Sequence, residues 1–200
     1  ADAPPDLAAG IPARYDGEKM PTEGELWIYR SAPDAPAPSF HAQKLKGFAV
    51  GSFFGRSLAW IGSSAGLFLA TAPSFTGGTA YGISALTGSI VYEIEKHALD
   101  YAGENERKGY VAWSLPDLDG DGIRDTAVGA PGQNPANNGP YPYRGRFYLY
   151  SGATGALLHV LEGRDENSHM GFAIAGIGDV NTDGCPDLAL GVPYQKVGSF

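Results

Sequence analysis

The stretch DLDGDGIRD, Asp117 to Asp125, sets four carboxylates into nine residues with Gly120 and Gly122 between them. Carboxylates this close repel one another and raise each other's pKa unless a cation stands among them. Placing Asp117, Asp119 and Asp121 at alternate positions lets one tight loop turn three side chains inward. Gly122 then permits the sharp bend, Ile123 offers its backbone carbonyl, and Asp125 closes the shell. Every donor is oxygen, and with neither Cys nor His in the loop the set suits the hard cation Ca²⁺ rather than zinc or copper. A second stretch, DVNTDGCPD, offers Asp179, Asn181, Asp183, the carbonyl of Cys185 and Asp187. It carries one charge fewer, so two calcium sites are expected and the second should be the weaker.

The EF-hand also uses such a loop, but it needs a bidentate Glu at the twelfth position and a helix on each side. Val128 and Leu190 stand there, and the following segments DTAVGAP and DLALGVP read as strands. Asp and Gly are turn formers in any case, yet a plain acidic turn does not account for the same pattern twice.

Other chemistry fares worse. GSSAG, Gly62 to Gly66, matches the spacing of a nucleophile elbow with Ser64 as nucleophile, but that motif demands a helix after the turn and LFLATAPSF continues as a strand. The histidines, His41, His97, His159 and His169, are dispersed without metal-ligand spacing. Glu104, Glu106, Asp165 and Glu166 could pair for glycoside hydrolysis, although connecting loops are the commoner home of such charges. The segment Gly132 to Tyr143, with Asn134, Asn137, Asn138, Tyr141 and Tyr143, is a candidate recognition loop, since Tyr and Asn between strands suit contact with sugars or proteins.

The elements that must hold these loops are short strands. In 200 residues, 29 glycines and 15 prolines fall between brief apolar runs, the punctuation of an all-β chain. GRFYLYSG, Gly145 to Gly152, alternates with Phe147 and Leu149 on one face and Tyr148 and Tyr150 on the other. Only Ile90 to Lys108 has helical appetite, and its start, Ile90 to Ile94, alternates like a strand. A hydrophobic content of 43% supports a buried core. A net charge of −8 without a Lys/Arg cluster argues against nucleic acid, and no apolar run approaches a membrane span. The opening ADAPPDLAAG, lacking Met, fits a mature end after signal-peptide removal, so secretion is expected. Cys185 is the single cysteine, expected to be buried and inert.

Internal repetition organises the chain. Gly55 to Pro73, Gly109 to Pro131 and Gly171 to Pro193 each open with Gly and an apolar strand, pass a loop, and close on a second strand ending in Pro. Behind them recur GELWIYRS (Gly24), GTAYGISA (Gly78), GRFYLYSG (Gly145) and the start GSF (Gly198). Four short strands in about 60 residues make a blade, and blades arranged radially make a β-propeller.

MGFAIAGIGDVNTDGCPDLALGVP and WSLPDLDGDGIRDTAVGAP followed by GRFYLYSG closely resemble FG-GAP repeats, the blades of the integrin alpha-chain β-propeller, which also occur in secreted bacterial proteins. The resemblance covers Gly47 to Phe200, and Gly24 to Gln43 in part. The first full repeat keeps FFG and ATAP but has IGSSAG where the acidic loop should stand. The resemblance implies an all-β propeller with about three blade equivalents: an N-terminal extension 1–23, a half blade 24–43, blades 47–96 and 109–163, and a half blade 169–200. A propeller of at least four such blades needs ~240 residues. A segment of a larger propeller is therefore expected, the alternative being partial propellers that complete one another in an assembly. The expected function is a secreted, calcium-stabilised, non-catalytic binding, adhesion or scaffold module for protein or glycan, located extracellularly, in a periplasm or at a cell surface. The alternative is an accessory or catalytic part of a secreted hydrolase or lyase.

Overall fold

The computed structural model describes residues 7–12, 23–31, 40–47, 51–62, 66–73, 78–94, 108–132, 143–183 and 187–194. These form strands and turns in four antiparallel sheets. The first sheet joins β1 (Leu7–Ile11), β2 (Glu25–Ser31) and β3 (Phe40–Lys46) in that order. The second is a four-stranded meander of β4 (Leu58–Gly62), β5 (Leu67–Ala72), β6 (Thr79–Ser84) and β7 (Ile90–Glu93). The third repeats that meander with β8 (Val111–Ser114), β9 (Thr126–Ala130), β10 (Arg146–Tyr150) and β11 (Leu157–Glu162). The fourth is a hairpin of β12 (Ala173–Gly178) and β13 (Asp187–Gly191).

The apolar core lies between sheets, which is what makes them blades. Strand β5 is buried along its whole length because its two faces serve different neighbours. Leu67 and Leu69 pack with Val128, Ala130, Tyr148 and Tyr150 of the third sheet, whereas Phe68, Ala70 and Ala72 pack with Leu26, Ile28 and Phe54. Strand β9 does the same one sheet on, sending Val128 and Ala130 one way and Ala127 the other, toward Phe147 and Ile174. Such strands must be apolar on both faces and small where sheets approach. The outer strands β7 and β11 carry mixed, largely exposed side chains.

The repeated glycines mark where adjacent blades touch. A Cβ on Gly10 would fall 1.9 Å from the carbonyl oxygen of Gly55, and one on Gly129 would fall 2.2 Å from that of Gly171. The glycine near the end of one blade's second strand thus sits against the glycine that opens the next blade. Parallel bridges Gly24–Phe54 and Gly145–Met170 fasten the same junctions.

One detail departs from the sequence reading. Residues Leu7–Ile11, assigned above to an N-terminal extension, form β1 and pair in register with Glu25–Tyr29. PDLAAGIP there parallels PDLALGVP at Pro186 to Pro193, and the pairing with β2 makes it the second strand of a blade. The strand-like alternation read at Ile90 to Ile94 is found in the structure, where Ile90–Glu93 pairs with β6 as β7. The residues 95–107 lie outside the described structure.

Candidate metal centre

The Asp117–Asp125 loop joins the hairpin strands β8 and β9. Its ends are closed by backbone bonds: the Leu115 N–H donates to the Asp125 carbonyl (2.8 Å), and the Asp125 N–H to that of Pro116 (3.3 Å). Inside this neck the carboxylates organise the turn. Asp117 accepts from the backbone N–H of Gly120 (2.7 Å), Gly122 (2.8 Å) and Asp121 (3.2 Å). Asp119 accepts from the Asp121 N–H (3.2 Å), and Asp121 from the Ile123 N–H (2.7 Å). Gly120 and Gly122 have φ of 82° and 85° with open space around them, so backbone conformation, not crowding, requires glycine here.

Asp125 differs in kind. Fully buried, it accepts from the Leu118 N–H (2.7 Å) and, across the sheet, from the Gly152 N–H in the β10–β11 turn (3.0 Å). Oxygens of Asp117, Asp119 and Asp125 all lie within 4.8 Å of one another. Asp121 stands beside this trio, with the Ser151 hydroxyl donating to it at 3.4 Å. The electrostatics divide the acids. Burial pushes the Asp125 carboxyl above the ordinary carboxylate range, and Asp119 and Asp121 push it further the same way. The N–H of Gly122, with those of Gly120 and Asp121, holds Asp117 below its usual value. A buried carboxylate facing exposed ones is an arrangement that a divalent cation would relieve, and all-oxygen donors on a tight loop fit Ca²⁺.

The Asp179–Asp187 loop joins β12 and β13 and repeats three of those bonds. The Val180 N–H donates to Asp187 (2.9 Å), as the Leu118 N–H does to Asp125. The Asp183 N–H donates to Asp179 (3.1 Å) and Asn181 (3.0 Å), as that of Asp121 does to Asp117 and Asp119. Thr182 takes φ 60° at the position of Gly120, so the backbone path is kept even where the residue is not glycine. Asn181 donates its amide to Asp183 (2.9 Å), a bond that the aspartate at the first loop's corresponding position cannot make. Cys185 lies outside the described residues.

Of the other candidates, Ser64, His97, Glu104, Glu106, Asn134, Asn137, Asn138 and Tyr141 lie outside the described residues. His41 and His159 are exposed on β3 and β11. Asp165 and Glu166 sit in the turn before β12, and Tyr143 stacks on His169 with ring centroids 5.3 Å apart. Sequence reasoning missed the Gly152 N–H and the Ser151 hydroxyl as partners of the acidic loop. Their only sequence signal was the serine that ends each of GELWIYRS, GTAYGIS and GRFYLYS.

No protein-family model matches the chain. Human integrin alpha-6 is 26% identical over 180 residues, covering 88% of this chain and 16% of that protein. Integrin alpha-PS2 of Drosophila melanogaster is 38% identical over 96 residues (43% of the chain, 7% of the relative). Mouse integrin alpha-3 is 35% identical over 101 residues (44% and 8%). The chain is an integrin-alpha-like FG-GAP repeat protein. Its four sheets are blades of a β-propeller, and it spans a sixth or less of the length of these integrin relatives.

Proposed function

We propose that this integrin-alpha-like chain is an extracellular binding or adhesion module in which Ca²⁺ pins the acidic hairpin loops and the opposite loops contact protein or glycan, without catalysis. The observation that carries the reading is the coincidence of two loops, on equivalent hairpins of successive blades, that share one pattern of carboxylate-to-backbone bonds. Calcium would take Asp117, Asp119 and Asp125 as its nearest donors in the first loop, with Asp121 and the Ile123 carbonyl completing the shell. In the second loop it would take Asp179, Asn181, Asp183, the Cys185 carbonyl and Asp187. Extracellular calcium modules bind at about 10⁻⁴ to 10⁻³ M. With calcium tenfold above Kd, each site would add about 1.4 kcal/mol, or a Tm rise of about 3–5 °C for a chain of this size. Thermal unfolding in calcium and in EDTA tests this. The shift should be present in the wild type and lost when Asp121→Ala is combined with Asp183→Ala; equal melting in the two buffers would sink the calcium assignment.

A further inference from the structure

A cavity of about 590 Å³ opens between the third and fourth blades, walled by Tyr143, His169, Phe172 and Tyr194 with Asn167 and Pro131. It lies at the ends of β9, β12 and β13 opposite to the acidic loops, since Asp125 precedes β9 and Pro131 follows it. Its rings are held firmly. Ser168 is fully buried and its hydroxyl donates to the Arg144 carbonyl (2.9 Å), while the N–H groups of His169 and Met170 donate to the carbonyls of Tyr143 (2.8 Å) and Arg144 (2.9 Å). Beside these bonds Asn167 and His169 take φ of 60° and 53°, a left-handed conformation that is uncommon for non-glycine residues and that Asn and His tolerate best. Phe53 has the same conformation at the matching point of an earlier blade, so the repeat itself presents a ring here. In the fourth blade the ring is His169, stacked on Tyr143 at 15° and met by Tyr194 at 67°, which makes a corner of two nearly perpendicular aromatic walls.

The lining selects the ligand. Among the described residues around the cavity there is no Lys or Arg to take a phosphate or carboxylate, and no Asp or Glu to take a cation. What remains is flat aromatic surface edged by two phenol hydroxyls, an imidazole and a carboxamide, all able to donate and accept. A pyranose ring matches that set, with an apolar C–H face to lie on a ring and hydroxyls around its rim. We infer that this corner is a binding site for a neutral sugar unit of a glycan. The inference rests on the reading of the chain as a binding module and is independent of calcium.

Titration of the full chain with cellotetraose, mannotriose and triacetylchitotriose, followed by saturation-transfer NMR, tests it, with an uncharged proline-rich peptide as the competing class. At least one oligosaccharide should bind in the micromolar-to-millimolar range. Tyr194→Ala, at an exposed position, and His169→Asn, which tolerates the left-handed backbone, should each weaken it about tenfold with unchanged melting. Trp60→Ala, exposed on another blade, should leave it intact. The site is overturned if none of the sugars binds, if only the peptide binds, or if binding survives both ring substitutions. Loss of the calcium-dependent shift with sugar binding retained would remove the metal assignment alone.

Discussion

At Asp125 one side chain carries two duties that pull in opposite directions. Its oxygens tie the acidic loop to the β10–β11 turn through the Leu118 and Gly152 amides, yet burial opposes its charge. Asp125→Ala strands both amides and should cost about 2–4 kcal/mol in urea unfolding. Asp125→Asn keeps an acceptor and removes the disfavoured charge, so in EDTA it should cost clearly less, while still abolishing stabilisation by calcium. Tyr81 gives a separate handle on pH. Burial, reinforced by Glu93, pushes its phenol up to about 12 from the ordinary 10.0. Below pH 10 both folded and unfolded forms keep the proton and its contribution is intact; between pH 10 and 12 the unfolded form ionises first and stability falls. Tyr81→Phe should flatten that part of the alkaline unfolding curve.

Among the elements, β9 is constrained by close approach to the next blade. Gly129 on β9 faces the Gly171 carbonyl at a distance no Cβ could occupy. Gly129→Ala should therefore cost about 1–3 kcal/mol by forcing the third and fourth blades apart. Gly120→Ala, in open space but at φ 82°, should cost only about 1 kcal/mol, from backbone strain alone. Chemical denaturation of the two variants separates crowding from conformation. The hairpin loops were legible beforehand because their chemistry is local, the acids, glycines and bend all falling within nine residues. Strand β1 was not, because LAAGI is short and its role comes only from pairing with β2, across a long connection.

For the whole molecule, stability is distributed along the line of blades. Each interior sheet donates one face of its second strand to each neighbour, and the core clusters of the described residues all span two sheets. Hydrogen exchange should accordingly be slowest in β5 and β9, buried from both sides, and fast in the outer strands β7 and β11. Equal protection across the sheets would contradict this account of the core. The acidic loops occupy one end of these strands and the aromatic corner the other, so the same β9 strand that holds the acidic loop also places Pro131 at the cavity.

Sequence alone determined the strand period, the blade repeat and the oxygen-rich loops, since each is a pattern within one segment. It could not pair Asp125 with Gly152, because that bond follows from the antiparallel pairing of β9 with β10, which sets Thr126 opposite Tyr150. The aromatic corner is likewise a tertiary product. Tyr143, His169 and Tyr194 are spread over three segments of the chain and meet only where the third and fourth blades pack together.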